Sequence, residues 1–526
     1  MSNNHGDPAE TERLLGFGSE RKKTRRELCT IIFAAVIVMS AVIVIVSVWA
    51  SLSSGANSYE KRSVILMISD GFGPASETFA RDYNQYVKKL NYNYLTPLDD
   101  ILVGSSRTRS SNSLVTDSAA GATAFACAMK SYNRAIAVNP EKVPCGTVLE
   151  SAKHFGFATG LVVTSRITHA TPATFSAHVV DRDMESDIAV QQIGDYPLGR
   201  QVDLMFGGGL CFFLPNSTEG SCRIDERDLV KESKKRGFKY LSTRKEFDEL
   251  EPGKDEIPLL GLFTPDHMSY EIDRDPTKEP SLKEMSEKAL KFLESATADS
   301  DKGFFLMIEG SRIDMAAHSN DAAAHVHDIL AYHETIDLVK KYVDEHPGTV
   351  MISVSDHETG GFSLARQVSN QPQYLWYPEY VSRVNNSSFV LSQELLKWDN
   401  DREAYVKKII RDGLGIEDLD DYDVNWLGEN RTQLEYEYYL VNITNFKAQL
   451  GWATHGHSAV DVNLYAYGQG SDVLRGNHEN TDIGEFIVKY LDLDLNYVTN
   501  KLNSNNVTFH QAFDSTHFHN DEHHHH

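Results

Sequence analysis

Three short apolar runs in this chain, residues 64–68, 304–308 and 349–354, each lead into an acid: Asp70 just past the first, Glu309 directly after the second, and Asp356, with His357 beside it, just past the third. Runs of this length, dense in branched and apolar residues, read as strands buried on both faces, as in a parallel sheet. In such sheets ligands bind beyond the carboxyl ends of the strands. Three carboxylates delivered to one sheet edge repel one another unless positive charge lies between them. A cluster of divalent metal ions meets that need. The expected fold class is therefore α/β, a large mostly parallel central sheet flanked by helices.

Strand-like and helix-like segments alternate through most of residues 62–495, which predicts one large domain with insertions rather than several separate ones. Further strands are expected at 160–164, 202–206 and 460–467, and a closing helix at 483–491. The charged stretch 225–300 reads as surface helices and loops. Residues 362–450, rich in Tyr, Asn and acids, break the sheet pattern and read as an inserted subdomain. Gly207-Gly-Gly209 lacks the Lys-Ser/Thr of a phosphate cradle and reads as a tight turn at a strand end. Residues 496–526 form a His-rich C-terminal tail.

The formal net charge is −24, from 75 acidic and 51 basic residues. That balance argues against a nucleic acid partner and gives no global steering of anionic substrates. Residues 28–50 are uncharged and long enough to cross a bilayer as a helix. Arg21, Lys22, Lys23, Arg25 and Arg26 lie just before them, which puts the N-terminus in the cytosol and predicts a single-pass type II anchor. The apolar stretch exceeds the roughly 7 to 15 residues of a cleaved signal peptide. The cytosolic tail, residues 1–27, contains Glu10-Thr-Glu-Arg-Leu14-Leu15, the pattern of an acidic dileucine signal read by sorting adaptors; a polar linker, 51–61, follows the anchor. Beyond the anchor lie sequons at Asn216, Asn385, Asn386, Asn430, Asn442 and Asn506, glycosylation acceptors if that side is lumenal. Cys211 and Cys222 flank a short loop and could pair in an oxidising compartment, while Cys127 and Cys145 are left open.

Asp314 and His318 are spaced i, i+4, so on a helix they share a face and can grip one metal ion. Asp356-His357 at a strand end can aim two side chains at one point, and Thr454-His455-Gly-His457 offers a further imidazole from a loop. In Val115-Thr-Asp117-Ser118-Ala-Ala-Gly, a serine would open a helix of small residues, where unpaired N–H groups favour an anion. The plainer reading is an ordinary N-cap serine. The company of metal-type ligands favours a nucleophile, because a serine hydroxyl needs a base or a metal to attack near neutral pH.

Taken in order, these motifs resemble the alkaline phosphatase family over residues 62–491, and the anchor and dileucine-like tail are similar to those of its fungal vacuolar members. The resemblance implies metal-dependent hydrolysis of phosphate monoesters through a phosphoserine on Ser118, with Arg182 holding the phosphate. It implies two Zn2+ and one Mg2+ per subunit. Asp314, His318 and His457 would form one zinc site and Asp70, Asp356 and His357 the other; Asp70, Thr171 and Glu309 would face magnesium, with His169 beside it. His457 is preferred to His455 because His457-Ser-Ala-Val-Asp461-Val fits the family run better. Met315 stands where other members carry a cation. A homodimer in the vacuolar membrane, catalytic domain in the lumen, is the implied setting. The alternatives are a phosphodiesterase of the same superfamily, which would ordinarily use Thr and lack the third metal site, and a noncatalytic zinc-binding membrane glycoprotein, which would need neither Ser118 nor Arg182.

Overall fold

The computed structural model describes residues 61–397 and 401–504, with Thr24, Leu28 and residues 30–44 of the N-terminal segment. The chain forms two units, Met1–Glu60 and Lys61–His526. In the first, residues 30–44 are helical. No helix among the described residues is long and apolar enough to cross a membrane; the expected span, 28–50, runs beyond them. The dileucine-like motif, most of the linker, Asn506 and the His-rich end also lie outside the described residues.

The second unit is built on a ten-stranded sheet. In chain order its strands are β1 (Ser63–Ile68), β2 (Leu102–Arg107), β3 (Ala158–Arg166), β4 (Leu204–Gly208), β5 (Lys239–Leu241), β6 (Leu259–Leu262), β7 (Phe304–Glu309) and β8 (Thr349–Val354). A separate two-residue ladder pairs β9 (Glu358–Thr359) with β10 (His457–Ser458), and β11 (Val462–Gly468) and β12 (Gly476–Glu479) complete the large sheet. Its order is β12-β2-β11-β8-β1-β7-β3-β4-β6-β5. β11 runs antiparallel to both neighbours, and every other pairing is parallel.

The three acid-terminated runs are thus β8, β1 and β7, neighbours at the centre. Ile68 pairs with Glu309 on one side and Val354 on the other. The strands therefore stop level and set down Asp70, Glu309 and Asp356 together. All three are buried along their whole length. Ile65 and Met67 enter one core, and Val64, Leu66 and Ile68 enter the core on the opposite face. Alternate side chains on both faces are removed from water, which explains the unbroken apolar pattern.

Two expectations are corrected. The stretch 225–300 is not only helices and loops, since it supplies β5 and β6 at the sheet edge; at three and four residues, these strands are too short for a periodic signal. The C-terminal tail does not begin at 496. Helix Leu495–Ser504 docks on the domain: Val498 and Leu502 are buried, Gly146 N–H donates to Thr499 Oγ1 (2.8 Å), and Asn503 Nδ2 donates to the Pro144 carbonyl (3.0 Å).

The inserted segment folds as helices Pro378–Val381, Ser388–Leu395, Arg402–Leu414, Asp421–Gly428 and Gln433–Ala448. Their apolar residues, among them Leu391, Ile410 and Leu440, join the same core as Val326 and Ile329 of helix Ala322–Glu345. Gly209 turns the chain after β4, its N–H donating to the carbonyls of Thr264 and Asp266. Cys211 pairs with Cys222, and Cys127, left open by the sequence, pairs with Cys145.

Candidate metal centre

The strand ends and two helices assemble the centre. After β1 the chain turns through Gly71, at φ +71°. A Cβ there would stand 2.6 Å from Asp314 Oδ1, so only glycine lets the Asp70 loop pass so close to that carboxylate. Helix Arg312–His318 follows β7 at once and carries Asp314 in its first turn and His318 in its last. The small-residue helix Ser118–Cys127 presses on the end of β8. A Cβ on Gly121 would lie 2.9 Å from the Asp356 Cβ. This close approach brings Ser118 Oγ to 3.1 Å from His357 Nε2.

Three groups of side chains converge there: Asp314 with His318 and His457, Asp70 with Asp356 and His357, and Asp70 with His169 and Glu309. In the first, His318 Nε2 lies 3.0 Å from His457 Nε2 and 3.3 Å from Asp314 Oδ2, and His457 Nε2 lies 3.9 Å from Asp314 Oδ1. His318 donates from Nδ1 to the His455 carbonyl (2.5 Å), and His457 from Nδ1 to the Thr116 carbonyl (2.8 Å). Those bonds fix both tautomers. Two Nε2 lone pairs therefore face each other at contact distance, an arrangement that one cation relieves. Ligands about 2.0–2.1 Å from a tetrahedral zinc stand about 3.3 Å apart. In the second group His357 Nε2 is 3.5 Å from Asp70 Oδ1 and 3.2 Å from Asp356 Oδ2. Neither Asp70 oxygen, nor Asp356 Oδ2, nor Glu309 Oε1 has a hydrogen-bond partner among the described residues, although all are buried. Buried carboxylate oxygens without donors, opposed by imidazole lone pairs, fit metal ions. Thr171 lies two residues past His169, the N-cap of helix Ala170–Ser176, and its buried hydroxyl faces Glu309.

The electrostatics of the metal-free protein carry the same message. Burial pushes Asp70 well above the usual carboxylate range, Glu309 up to about 8 and Asp356 up to about 7. Burial acts on Asp314 too, but the imidazoles of His318, His457 and His357 together outweigh it and hold Asp314 well below its ordinary value. Burial keeps His357 well below 6.5, so it is neutral and its lone pair is available. Three carboxylates at three strand ends cannot all ionise unless cations join them.

Arg182 closes the other side. Its Nη1 donates to Asp117 Oδ2 (3.3 Å) and its Nη2 to His169 Nε2 (3.0 Å). The eleven residues singled out from the sequence, Ser118, Arg182, Asp70, Thr171, Glu309, Asp314, His318, Asp356, His357, His457 and His169, are thereby brought to one end of the sheet.

The family model for alkaline phosphatase matches residues 61–493. The chain belongs to the alkaline phosphatase family. An alkaline phosphatase of Schizosaccharomyces pombe is 48% identical over 460 residues, spanning 86% of this chain and 85% of its own length. The repressible alkaline phosphatase of Saccharomyces cerevisiae is 44% identical over 97% of this chain and 96% of its own. Among solved structures, the cold-active alkaline phosphatase of a psychrophilic Shewanella superposes with a TM-score of 0.69 at 30% identity, covering 82% of this chain and 99% of that one. The fold is the family's α/β fold, and the chain is a metal-dependent enzyme that hydrolyses phosphate monoesters.

Several residues of this alkaline phosphatase escaped the sequence reading. Asp117 caps the serine helix by accepting from Ala120 N–H (3.0 Å), and its Oδ2 accepts from both Arg134 N–H (2.9 Å) and Arg182. An acid directly before a small-residue helix is an N-cap signature that could have flagged it. Thr359, on β9, donates to Asp314 Oδ1 and lies 3.2 Å from His357 Nδ1, joining two groups of ligands. No local pattern announces it. His455 points its ring away from the centre, donating from Nδ1 to the His318 carbonyl (2.8 Å) and stacking on Tyr438. Met315 is not in a cation-free setting: Arg312 Nη1 lies 2.9 Å from its sulfur.

Proposed function

We propose that this phosphatase works through a phosphoserine on Ser118, with zinc at Asp314, His318 and His457, zinc at Asp70, Asp356 and His357, and magnesium at Asp70, Thr171 and Glu309 beside His169. One observation carries this reading: the segment bearing Ser118 touches the groups of His357 and of His457, through Ser118 Oγ against His357 Nε2 (3.1 Å) and the Thr116 carbonyl under His457 Nδ1 (2.8 Å). Bound there, the metals would supply Lewis acidity, lowering the pKa of the serine hydroxyl and of water and neutralising charge on the transferring group.

The chain's own residues do the rest. Ser118 Oγ bonds to phosphorus as the ester P–O bond breaks, and the alcohol leaves with a proton. Water then attacks from the vacated side, the Oγ–P bond breaks, and the serine hydroxyl is restored as phosphate departs. The first N–H groups of helix Ser118–Cys127 face the phosphoryl oxygens. Arg182 offers a planar fork matched to two nonbridging oxygens; a dianionic monoester then keeps a third for the metal side of the centre, and a diester does not. The purified protein should hydrolyse p-nitrophenyl phosphate far faster than bis(p-nitrophenyl) phosphate, more so as pH rises, and lose this on chelation. Preference for the diester would move the chain to the phosphodiesterase reading, and no turnover with zinc and magnesium supplied would favour a noncatalytic role.

The setting is a proposal on sequence grounds. We place residues 28–50 as a type II anchor in the vacuolar membrane, the catalytic unit as a lumenal homodimer, and Leu14-Leu15 as the contact for a cytosolic sorting adaptor. Protease added to sealed vacuoles should clip the tail and spare the catalytic unit. Digestion of that unit without detergent would refute the orientation.

A further inference from the structure

The metal centre grips only the phosphate, so the alcohol half of a substrate must rest elsewhere. A cavity of about 560 Å³ lies between the inserted helices Asp421–Gly428 and Gln433–Ala448 and the loop that carries His455. His455 is the wall shared with the centre. It is joined to His318 by two hydrogen bonds, one given and one received, so the cavity begins one residue from the ligands.

Its lining is aromatic and ordered. Trp426 and Tyr439 stack at 3.8 Å and 9°, and Tyr438 and His455 at 3.8 Å and 13°. Trp452 adds a fifth ring. Two polar groups are unused: Trp452 Nε1 donates to nothing among the described residues, and Asn445 Oδ1 accepts nothing, although Asn445 is 97% buried and its Nδ2 is anchored on the Asn320 carbonyl (2.9 Å). Both residues line the cavity, with these two atoms closed off from solvent. Arg366, at the lip, donates to Asn442 Oδ1 (3.3 Å) and brings a guanidinium to the ring-lined wall. The volume falls among those of small-molecule sites, and ring faces with a few placed polar groups are how such sites choose planar ligands.

We propose that this cavity binds the alcohol half of the phosphate monoester and selects alcohols that carry a planar aromatic group. The proposal rests on the reading of the phosphate centre above. A flexible polyol would leave the ring faces wet and gain little from them.

The test fills the cavity at its lip, away from the metal ligands. Asn442→Phe should lower kcat/KM for 1-naphthyl phosphate about tenfold and leave glycerol 2-phosphate unchanged. It should also abolish the saturable quenching of tryptophan fluorescence by 1-naphthol, the product alcohol, that the metal-loaded wild-type protein should show. Thr444→Val removes the same sequon while leaving Asn442 and its contact with Arg366 in place, and should behave as wild type. Equal effects of Asn442→Phe on both esters, or none on either, would overturn the proposal. So would faster naphthyl ester turnover in Thr444→Val, which would mean that a glycan of this chain occupies the cavity. Absence of saturable quenching in wild type would overturn it too. If wild type hydrolyses neither ester, the reading of the centre fails, and the quenching by 1-naphthol then decides the cavity alone.

Discussion

Ser118→Ala should reduce kcat for phosphate monoesters by roughly a hundred-thousandfold while leaving the fold, the melting temperature and the bound metal intact. The sequence left two roles open for this serine, nucleophile and helix cap. The structure assigns the cap to Asp117, whose Oδ1 receives the Ala120 N–H. Ser118 is the first residue inside the helix, nearly fully buried, and among the described residues its hydroxyl makes its hydrogen bond to His357 Nε2. Alanine fits that space and suits a helix at least as well as serine. A loss of activity therefore cannot be traced to a lost cap, which would instead cost about 1 kcal/mol and appear in the melting temperature. Two readouts separate the outcomes: steady-state turnover of p-nitrophenyl phosphate, and acid-quench trapping of phosphorylated protein. A variant that keeps turnover within tenfold of wild type would show that water attacks phosphorus directly and that Ser118 is structural.

The centre of the sheet was legible because burial on both faces forces an unbroken apolar run, and the level ends of β8, β1 and β7 turn three separate acids in the sequence into one cluster in space. Asp314 and His318 were legible for a related reason, since one turn of helix converts their spacing into a shared face. The periphery was not. β2, whose sequence Leu-Val-Gly-Ser-Ser-Arg has neither an apolar run nor alternation, and β5, with only three residues, are strands because neighbouring strands offer hydrogen bonds to them. The same holds for the groups that orient the ligands. Thr359 and the carbonyls of Thr116 and His455 are defined by where the chain brings them, and a carbonyl oxygen has no letter in the sequence. Arg312 beside Met315 is a further case: the residue expected to mark a missing cation sits against a cation supplied one turn earlier on the same helix.

Removing the metals should make the protein lose stability as pH rises from 6.5 to 8, whereas the metal-loaded protein should not. Burial raises the carboxyls of Asp70, Glu309 and Asp356 above their unfolded values, Glu309 from 4.5 to about 8 and Asp356 from 3.8 to about 7. For an acid raised on folding, the stabilising contribution is complete below the unfolded pKa and disappears as pH climbs through the folded one. The cluster thus favours the metal-free fold in mild acid and opposes it in base, its protons coming off as a set rather than residue by residue. His318, also raised above 6.5, acts in the same direction. His357 and His457, lowered by burial, oppose it only below 6.5, where their unfolded forms are protonated, which is why the test belongs above that value. The change for Glu309 alone corresponds to roughly 5 kcal/mol spread over pH 4.5 to 8, of which roughly 2 kcal/mol falls above 6.5, a sizeable part of the whole stability of many domains. Metal ions remove the penalty by displacing those protons, so zinc affinity should rise over the same interval. Melting curves of chelated and metal-loaded protein, recorded side by side, decide the matter: the gap between them should widen with pH. Parallel curves would mean that the three strand-end acids are not the groups that hold the metals.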